Sequence, residues 1–180
     1  MKTIEPISPF QQQQVVAETE RYISIASDFF QRPFAAIPIA FDLKGRAAGM
    51  YKVDRGTRLL RFNPYLFAKY FQDNLANTVP HEVAHYISDV LHGLRHIRPH
   101  GKEWQAIMHV FGAMPERTHN FNMQGIPTRQ QQRFNYRCQC QVYQLTTRRH
   151  NMIQKGQRRY LCRYCHGELN LSANCDQPAR

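Results

Sequence analysis

Apolar residues over the first thirty positions recur at steps of three and four. Val15, Thr19, Tyr22, Ala26 and Phe29 fall on one helical stripe, with Val16, Ile23 and Phe30 beside them. This predicts a core-covering helix over 10–31, stopped by Pro33. The period then shortens. Residues 37–42 read as a strand with a proline near its start, 48–53 as a second strand and 57–63 as a third. Asp54-Arg55-Gly56 is the turn between the last two, and Gly45 and Gly49 bracket a turn or flexible link. Asn63-Pro64 supplies an N-cap and a first helical residue for a helix whose apolar face is Tyr65, Leu66, Phe67, Tyr70 and Phe71. Another helix runs from about Val79 to Leu91, with Asn77 or Thr78 as its cap, Pro80 in its first turn and Gly93 as its stop. After a basic loop at 92–100, Trp104, Ile107, Met108 and Phe111 form the apolar stripe of a helix over 101–111.

The texture changes again beyond this helix. Residues 113–135 are polar and irregular, partly packed through Phe121 and Ile126, and residues 136–170 combine paired cysteines with β-like alternation at 142–147. The expected organisation is α+β. Helices pack on a small β-sheet over 10–120, a connection spans 121–135, a ribbon-like β module spans 136–170, and 171–180 is a tail.

One stretch carries chemistry. In His81-Glu82-Val83-Ala84-His85, two histidines four apart share one helix face, about one turn from each other. Both imidazoles can reach one metal ion, and Glu82 projects beside it as a general base, the arrangement of a zinc peptidase. A third ligand is needed. His92 is seven residues past His85, roughly 10 Å along the axis, and too far. His100 heads the Trp104–Phe111 stripe, and Gly101 lets the backbone come close, so His100 is favoured. Glu103, one turn on, competes with it. Ser88 and Leu91 stand where a metzincin extension needs Gly and His, so that pattern is excluded. The strand at 57–63 is a candidate for pairing with an extended substrate.

The combination of His81-Glu-Val-Ala-His85 with His100-Gly-Lys-Glu-Trp104 resembles the SprT family of zinc metalloproteins, whose protease core is shared with the Spartan DNA–protein crosslink proteases. The resemblance extends to Leu60-Arg-Phe-Asn-Pro64, to Arg117-Thr-His119 and to the tyrosine-cysteine ends of the C-terminal module, covering about residues 10–170. It implies a zincin-like core, zinc held by His81, His85 and His100, Glu82 as the catalytic base, and a protein substrate on or crosslinked to DNA. Tyr86 and His119 are weighed as oxyanion donors, with a structural role favoured for both.

The five cysteines, Cys138, Cys140, Cys162, Cys165 and Cys175, all lie in the last third, which favours a metal site over a disulfide framework. Cys138, Cys140, Cys162 and Cys165 are expected to hold a second, structural zinc. The tight Cys138-x-Cys140 spacing keeps open a site of three cysteines and one histidine, with His150, on a returning strand, ahead of His166.

Charge sharpens the picture. Residues 1–116 carry 13 basic and 11 acidic side chains, and 117–180 carry 11 and 2, so the net +11 sits mostly in the last third. Arg133, Arg137, Arg148, Arg149, Arg158, Arg159 and Arg163 interleave with Tyr136, Tyr143, Tyr160 and Tyr164. This predicts sequence-independent contact with single- or double-stranded DNA. At least two of the tyrosines are expected in the module's own core. No apolar run reaches the ~18 residues of a membrane span, and no secretory leader is evident, so a cytoplasmic protein without a membrane partner is expected. The leading reading is a zinc metallopeptidase recruited by a basic ribbon. The alternatives are a nucleic-acid-associated zinc protein with a structural or regulatory core, and a general cytosolic peptidase.

Overall fold

The computed structural model describes residues 4–116, 120–128 and 132–172. The chain divides into two compact units, Met1–Thr128 and Arg129–Arg180.

The first unit opens with α1, Pro9–Phe30, started by a capping box in which Ser8 and Gln11 satisfy each other's backbone donors. Val15, Thr19, Tyr22, Ile23 and Ala26 are buried. Phe29 departs from the expected stripe and is 62% exposed. Phe30, four residues after Ala26, takes the inward position instead and packs against the core. The helix ends at Gln31 in the left-handed conformation, before Pro33 is reached.

Strand β1, Ile39–Ala40, is far shorter than expected. It pairs in parallel with β3, Thr57–Phe62, and β2, Gly49–Asp54, pairs antiparallel with the other side of β3. The β2–β3 turn places Arg55 and Gly56 at positive φ, as a two-residue hairpin requires. The sheet order is β1-β3-β2, so β3 is central, paired along its whole length with β2 and at Leu60 and Arg61 with β1. The expectation that 57–63 pairs with a substrate is therefore corrected: β2 is the edge strand.

Asn63 caps α2, Pro64–Lys69, by accepting from the N–H groups of Tyr65 and Leu66. A short turn, α3, Phe71–Asp73, leads into a π-helical turn at Asn74–Thr78 and then directly into α4, Val79–His92. Neither Asn77 nor Thr78 acts as an N-cap, because the helix does not begin there. Pro80 cannot donate back to the preceding turn. The turn is widened, and the Val79 N–H reaches back to the Asn74 carbonyl. Asn74 is fully buried and braces the turn. Its amide donates to the Leu66 and Tyr70 carbonyls, and its Oδ1 accepts from the Thr78 hydroxyl.

Gly93 ends α4, and α5, Lys102–Val110, follows the basic loop. Val83 and Ile87 of α4, Tyr22 and Ala26 of α1, and Trp104, Ile107 and Met108 of α5 share one core. Trp104, Ile107 and Met108 are each 1% exposed, and burying such side chains favours folding by about 1.5–3 kcal/mol apiece. Ile126, Phe121 and Met123 cluster with Ala48 and Leu66.

The second unit is a three-stranded antiparallel sheet of order β5-β4-β6, made of β4, Arg133–Arg137, β5, Val142–Thr146, and β6, Asn170–Leu171. Between β5 and β6 lies α6, Thr147–Gln154, where a returning strand had been expected. Tyr136 is fully buried, with Tyr143 and Tyr160 packed beside it, while Tyr164 is 78% exposed. Cys175, His119 and residues 129–131 lie outside the described residues.

Candidate metal centres

Helix α4 sets the first centre. His81 and His85 are one turn apart on it, and the loop before α5 brings His100 to the same point. His100 holds a positive φ of 58°, and a Cβ on Gly101 would come within 2.9 Å of the Arg98 carbonyl oxygen. The loop therefore closes tightly behind His100, and glycine is what fits there.

The three Nε2 atoms lie 3.2 Å (His81–His85), 3.1 Å (His85–His100) and 3.0 Å (His81–His100) apart. Three mutual hydrogen bonds are impossible. Each ring nitrogen carries either a proton or a lone pair, so two of any three share the same role. A cation that takes all three lone pairs satisfies the arrangement. Three nitrogens about 2.0–2.1 Å from a tetrahedral zinc stand roughly 3.3–3.4 Å from one another. The observed triangle is close to that face. Burial, then the neighbouring His81 and His100, push the His85 pKa down to about 3, which keeps it in the neutral form a metal requires. His81 Nδ1 sits 3.2 Å from the Glu116 carbonyl, which orients the ring from behind. Trp104 donates from Nε1 to the His81 carbonyl, and its ring lies 4.7–5.6 Å from all three imidazoles. Glu103 is not part of the cluster. It sits in the first turn of α5, where a carboxylate suits the helix N-terminus.

Glu82 is 6% exposed and lines the same cleft, of about 940 Å³, as the three histidines. Its Oε2 accepts a 2.7 Å hydrogen bond from the Tyr51 N–H of β2. Burial raises its pKa to about 8, against the pull of that hydrogen bond. A cation beside it opposes the burial penalty and favours the carboxylate.

Two contributors were not legible beforehand. Gly49, expected at a turn or link, begins β2 directly over α4. A Cβ there would lie 2.6 Å from Glu82 Cγ, 2.8 Å from Glu82 Oε1 and 2.8 Å from Thr78 Cγ2. Tyr51 grips α4 twice. Its N–H holds Glu82, and its hydroxyl donates to Asp89 Oδ2 at 2.6 Å, two turns further on the same helix face. Arg58 Nε donates to the same oxygen at 2.7 Å, and Leu94 N–H to Oδ1 at 3.1 Å. Burial would raise the Asp89 pKa, but the donors Tyr51, Arg58 and Leu94 outweigh it and hold it below the usual carboxylate value. Tyr86 is structural. It is 4% exposed and donates to the Ala35 carbonyl.

The second centre lies in the second unit. The Sγ atoms of Cys138, Cys140, Cys162 and Cys165 all fall within 4.8 Å of one another, with Cys138–Cys140 at 3.4 Å and Cys140–Cys162 at 3.5 Å. Thiolates about 2.3 Å from a tetrahedral zinc are roughly 3.8 Å apart, so the tight Cys138-x-Cys140 spacing is compatible with a four-sulfur site. Cys138 N–H donates to Gln141 O, and Cys162 N–H donates to Gly167 O, which folds each pair into a knuckle. Burial raises the Cys162 pKa, but Tyr143 OH and the Cys165 and Tyr164 N–H groups outweigh it, bringing it down to about 5. That favours the thiolate at Cys162, while the neighbouring thiols of Cys138, Cys162 and Cys165 push Cys140 the other way, up to about 12. His150 is elsewhere. On α6 it stacks on Phe134 at 3.7 Å and meets Tyr136 OH at 3.0 Å, so it replaces no cysteine. The seven arginines predicted to meet nucleic acid are all exposed, and Arg159 is 3.7 Å from Glu168.

Metal content separates the two centres. The full chain should hold two zinc ions, His81→Ala one, and Cys162→Ser one, by elemental analysis after dialysis. Two ions retained in His81→Ala would rule out the histidine centre.

An α+β unit with two histidines and a glutamate on one helix, and a third histidine ahead of the next, has the form of a metallopeptidase-like domain. The chain belongs to the SprT family: the SprT-like family's sequence model matches residues 19–131. It is 42% identical over 160 residues to Protein SprT of Pseudomonas paraeruginosa, covering 87% of this chain and 93% of that protein. It is 40% identical over 151 residues to Protein SprT of Vibrio parahaemolyticus, covering 83% and 87%. With Protein SprT of Shewanella oneidensis it shares 38% identity over 162 residues, covering 89% and 99%. These spans leave less of the chain outside than the second unit contains. No solved structure matches at a significant level. Among the described residues, no helix is long and apolar enough to cross a membrane.

Proposed function

We propose that the protein is a zinc-dependent metallopeptidase with a zincin-like core, acting on DNA-associated or DNA-crosslinked proteins and recruited through its basic second unit. The observation that carries the peptidase reading is the triangle of His81, His85 and His100 nitrogens beside the buried carboxylate of Glu82. Zinc held there would supply Lewis acidity, lowering the pKa of water and polarising a carbonyl oxygen. Glu82 takes the proton from the attacking water as the C–O bond forms, and then returns it to the leaving amine as the C–N bond breaks. The Tyr51 N–H holds the Glu82 carboxylate in one orientation for both transfers. The free edge of β2, running along the cleft, presents backbone groups with which an extended substrate can pair.

The nucleic-acid half of the reading rests on the exposed arginines of β4, α6 and the 158–163 loop, and on the exposed ring of Tyr164. A phosphate backbone would bind them whatever its sequence. A second zinc at the four cysteines would hold this unit together, and a cytoplasmic location fits such a role. The test is cleavage of a DNA-bound protein with and without DNA, alongside DNA affinity across a salt series. Cleavage should rise with DNA, and log affinity should fall linearly with log salt. Salt-independent binding would defeat the electrostatic reading. Salt-dependent binding without any cleavage would favour a binding protein with a regulatory core.

A further inference from the structure

Six large apolar side chains are exposed among the described residues of the first unit: Phe10, Phe29, Met50, Val53, Leu94 and Met114. The last four line one cleft, the cleft that holds the three histidines and Glu82. Leu94 is 48% exposed and Met114 68%. Stray apolar residues on a surface need no explanation, but four around one reactive site do. Outside the histidine–glutamate group, the charged side chains lining the cleft are Arg46 and Glu116, one of each sign. The cleft therefore gives a phosphate backbone, or a run of charged side chains, little to hold.

The register of β2 says how an occupant would lie. The hairpin closes on the Asp54–Thr57 pair, so alternate residues Lys52 and Met50 bond inward to β3. Gly49, Tyr51 and Val53 turn their backbone groups to the free edge. The Tyr51 N–H there is held by Glu82, so pairing with an occupant falls to the Tyr51 carbonyl and to Val53. An extended chain laid along this edge sends successive side chains to opposite faces of the sheet. Val53 stands on one face and Met50 on the other, so each row of substrate side chains meets an apolar wall. Methionines at Met50, Met114 and Met123 are unbranched and polarisable, and they adapt to apolar groups of different shape.

We infer that the cleft selects extended polypeptide whose side chains flanking the scissile bond are bulky and apolar, the kind of segment a folded protein buries. That there is a scissile bond rests on the peptidase reading; the preference for apolar side chains rests on the cleft's lining. Folded neighbours, whose apolar segments are buried, would then be poor substrates.

The test uses two dye-labelled peptides of equal length and net charge. One carries Leu and Met around its central bond, the other Ser and Asn. Binding is read by fluorescence anisotropy on the zinc-loaded full chain carrying Glu82→Gln, and cleavage on the chain with Glu82 intact. The apolar peptide should bind at least roughly tenfold tighter. Leu94→Glu in the same background should remove most of that difference, with a melting curve to show that the variant is folded, and Met114→Glu, at a 68% exposed position, should act the same way. Equal affinity for the two peptides overturns the inference, as does tighter binding of the polar one. Preferential binding of the apolar peptide with no cleavage by the intact chain upholds the cleft's preference and overturns the peptidase reading instead.

Discussion

Glu82→Gln should lower peptide-bond hydrolysis by roughly 10²–10⁴-fold, the usual contribution of a positioned general base. The metal content should stay that of the unsubstituted chain. Glutamine nearly matches glutamate in shape, and its carbonyl can still accept the Tyr51 N–H that Glu82 Oε2 accepts at 2.7 Å. The neutral amide has no charge to desolvate at a site that is 6% exposed, so the melting temperature should not fall. The three histidines are untouched. The measurement is the rate on a protein substrate beside elemental analysis and a melting curve. A rate close to that of the unsubstituted chain, with zinc bound, would remove Glu82 from the chemistry. Loss of zinc together with activity would make Glu82 a structural neighbour of the centre instead of its base.

The second large effect is expected at a residue with no functional group. Gly49→Ala places a methyl group 2.6 Å from Glu82 Cγ and 2.8 Å from both Glu82 Oε1 and Thr78 Cγ2. These distances are well inside van der Waals contact, and the atoms met are the stem of a buried side chain and a buried threonine methyl. Neither can swing away. Gly49 does not lie at positive φ, so backbone strain plays no part and the whole effect is collision. Either β2 lifts from α4 or the Glu82 carboxylate moves. A displacement near 1 Å at a reacting group costs about 10²-fold in rate. Overpacking of this kind costs about 1–3 kcal/mol in stability. The zinc should remain, because the histidines reach their point from α4 and the loop before α5 without touching Gly49. Full activity and an unchanged melting temperature in Gly49→Ala would show that β2 does not set the position of Glu82.

The two substitutions differ in how visible their targets are in the chain. Glu82 stands between two histidines at one-turn spacing, and a local period is enough to find it. His100 was reachable because it leads the Trp104–Phe111 stripe, and α5 buries that stripe as expected. The four clustered cysteines are visible from the Cys138-x-Cys140 and Cys162-x-x-Cys165 spacings. Gly49 carries no such signal. Its role depends on where β2 crosses α4, and the two meet only in the folded unit, 33 positions apart in the chain (82 − 49). The Tyr51 N–H is invisible for a similar reason. Every residue but proline has one, and only the hairpin register turns this one outward to Glu82.

Three further expectations failed, two on local chemistry and one on strand pairing. The α4 start was read as a capped N-terminus, since Asn77, Thr78 and Pro80 have the right types. Asn74 instead ties its side chain to the Leu66 and Tyr70 carbonyls and carries the helix through a widened turn. The strand at 57–63 was offered as the substrate edge, but β1 and β2 already occupy its two sides. Residues 147–154 were read as part of a returning strand. They form α6, which carries His150 onto Phe134 and away from the thiols.

The chain by itself determined the parts whose geometry repeats over a few residues. These are the apolar face of α1, the 2-period strands, the hairpin turn, the helix that aligns His81 with His85, and the basic character of the last third. Tertiary structure alone decided what stands opposite those parts. It brought three imidazole nitrogens to within 3.0–3.2 Å and left room at Gly49 for the glutamate. It made β2 the free edge and gathered Met50, Val53, Leu94 and Met114 around the cleft. The physical reason is range: helix and strand periods come from bonds between near neighbours, whereas a site is built from groups whose separation along the chain says nothing of their separation in space.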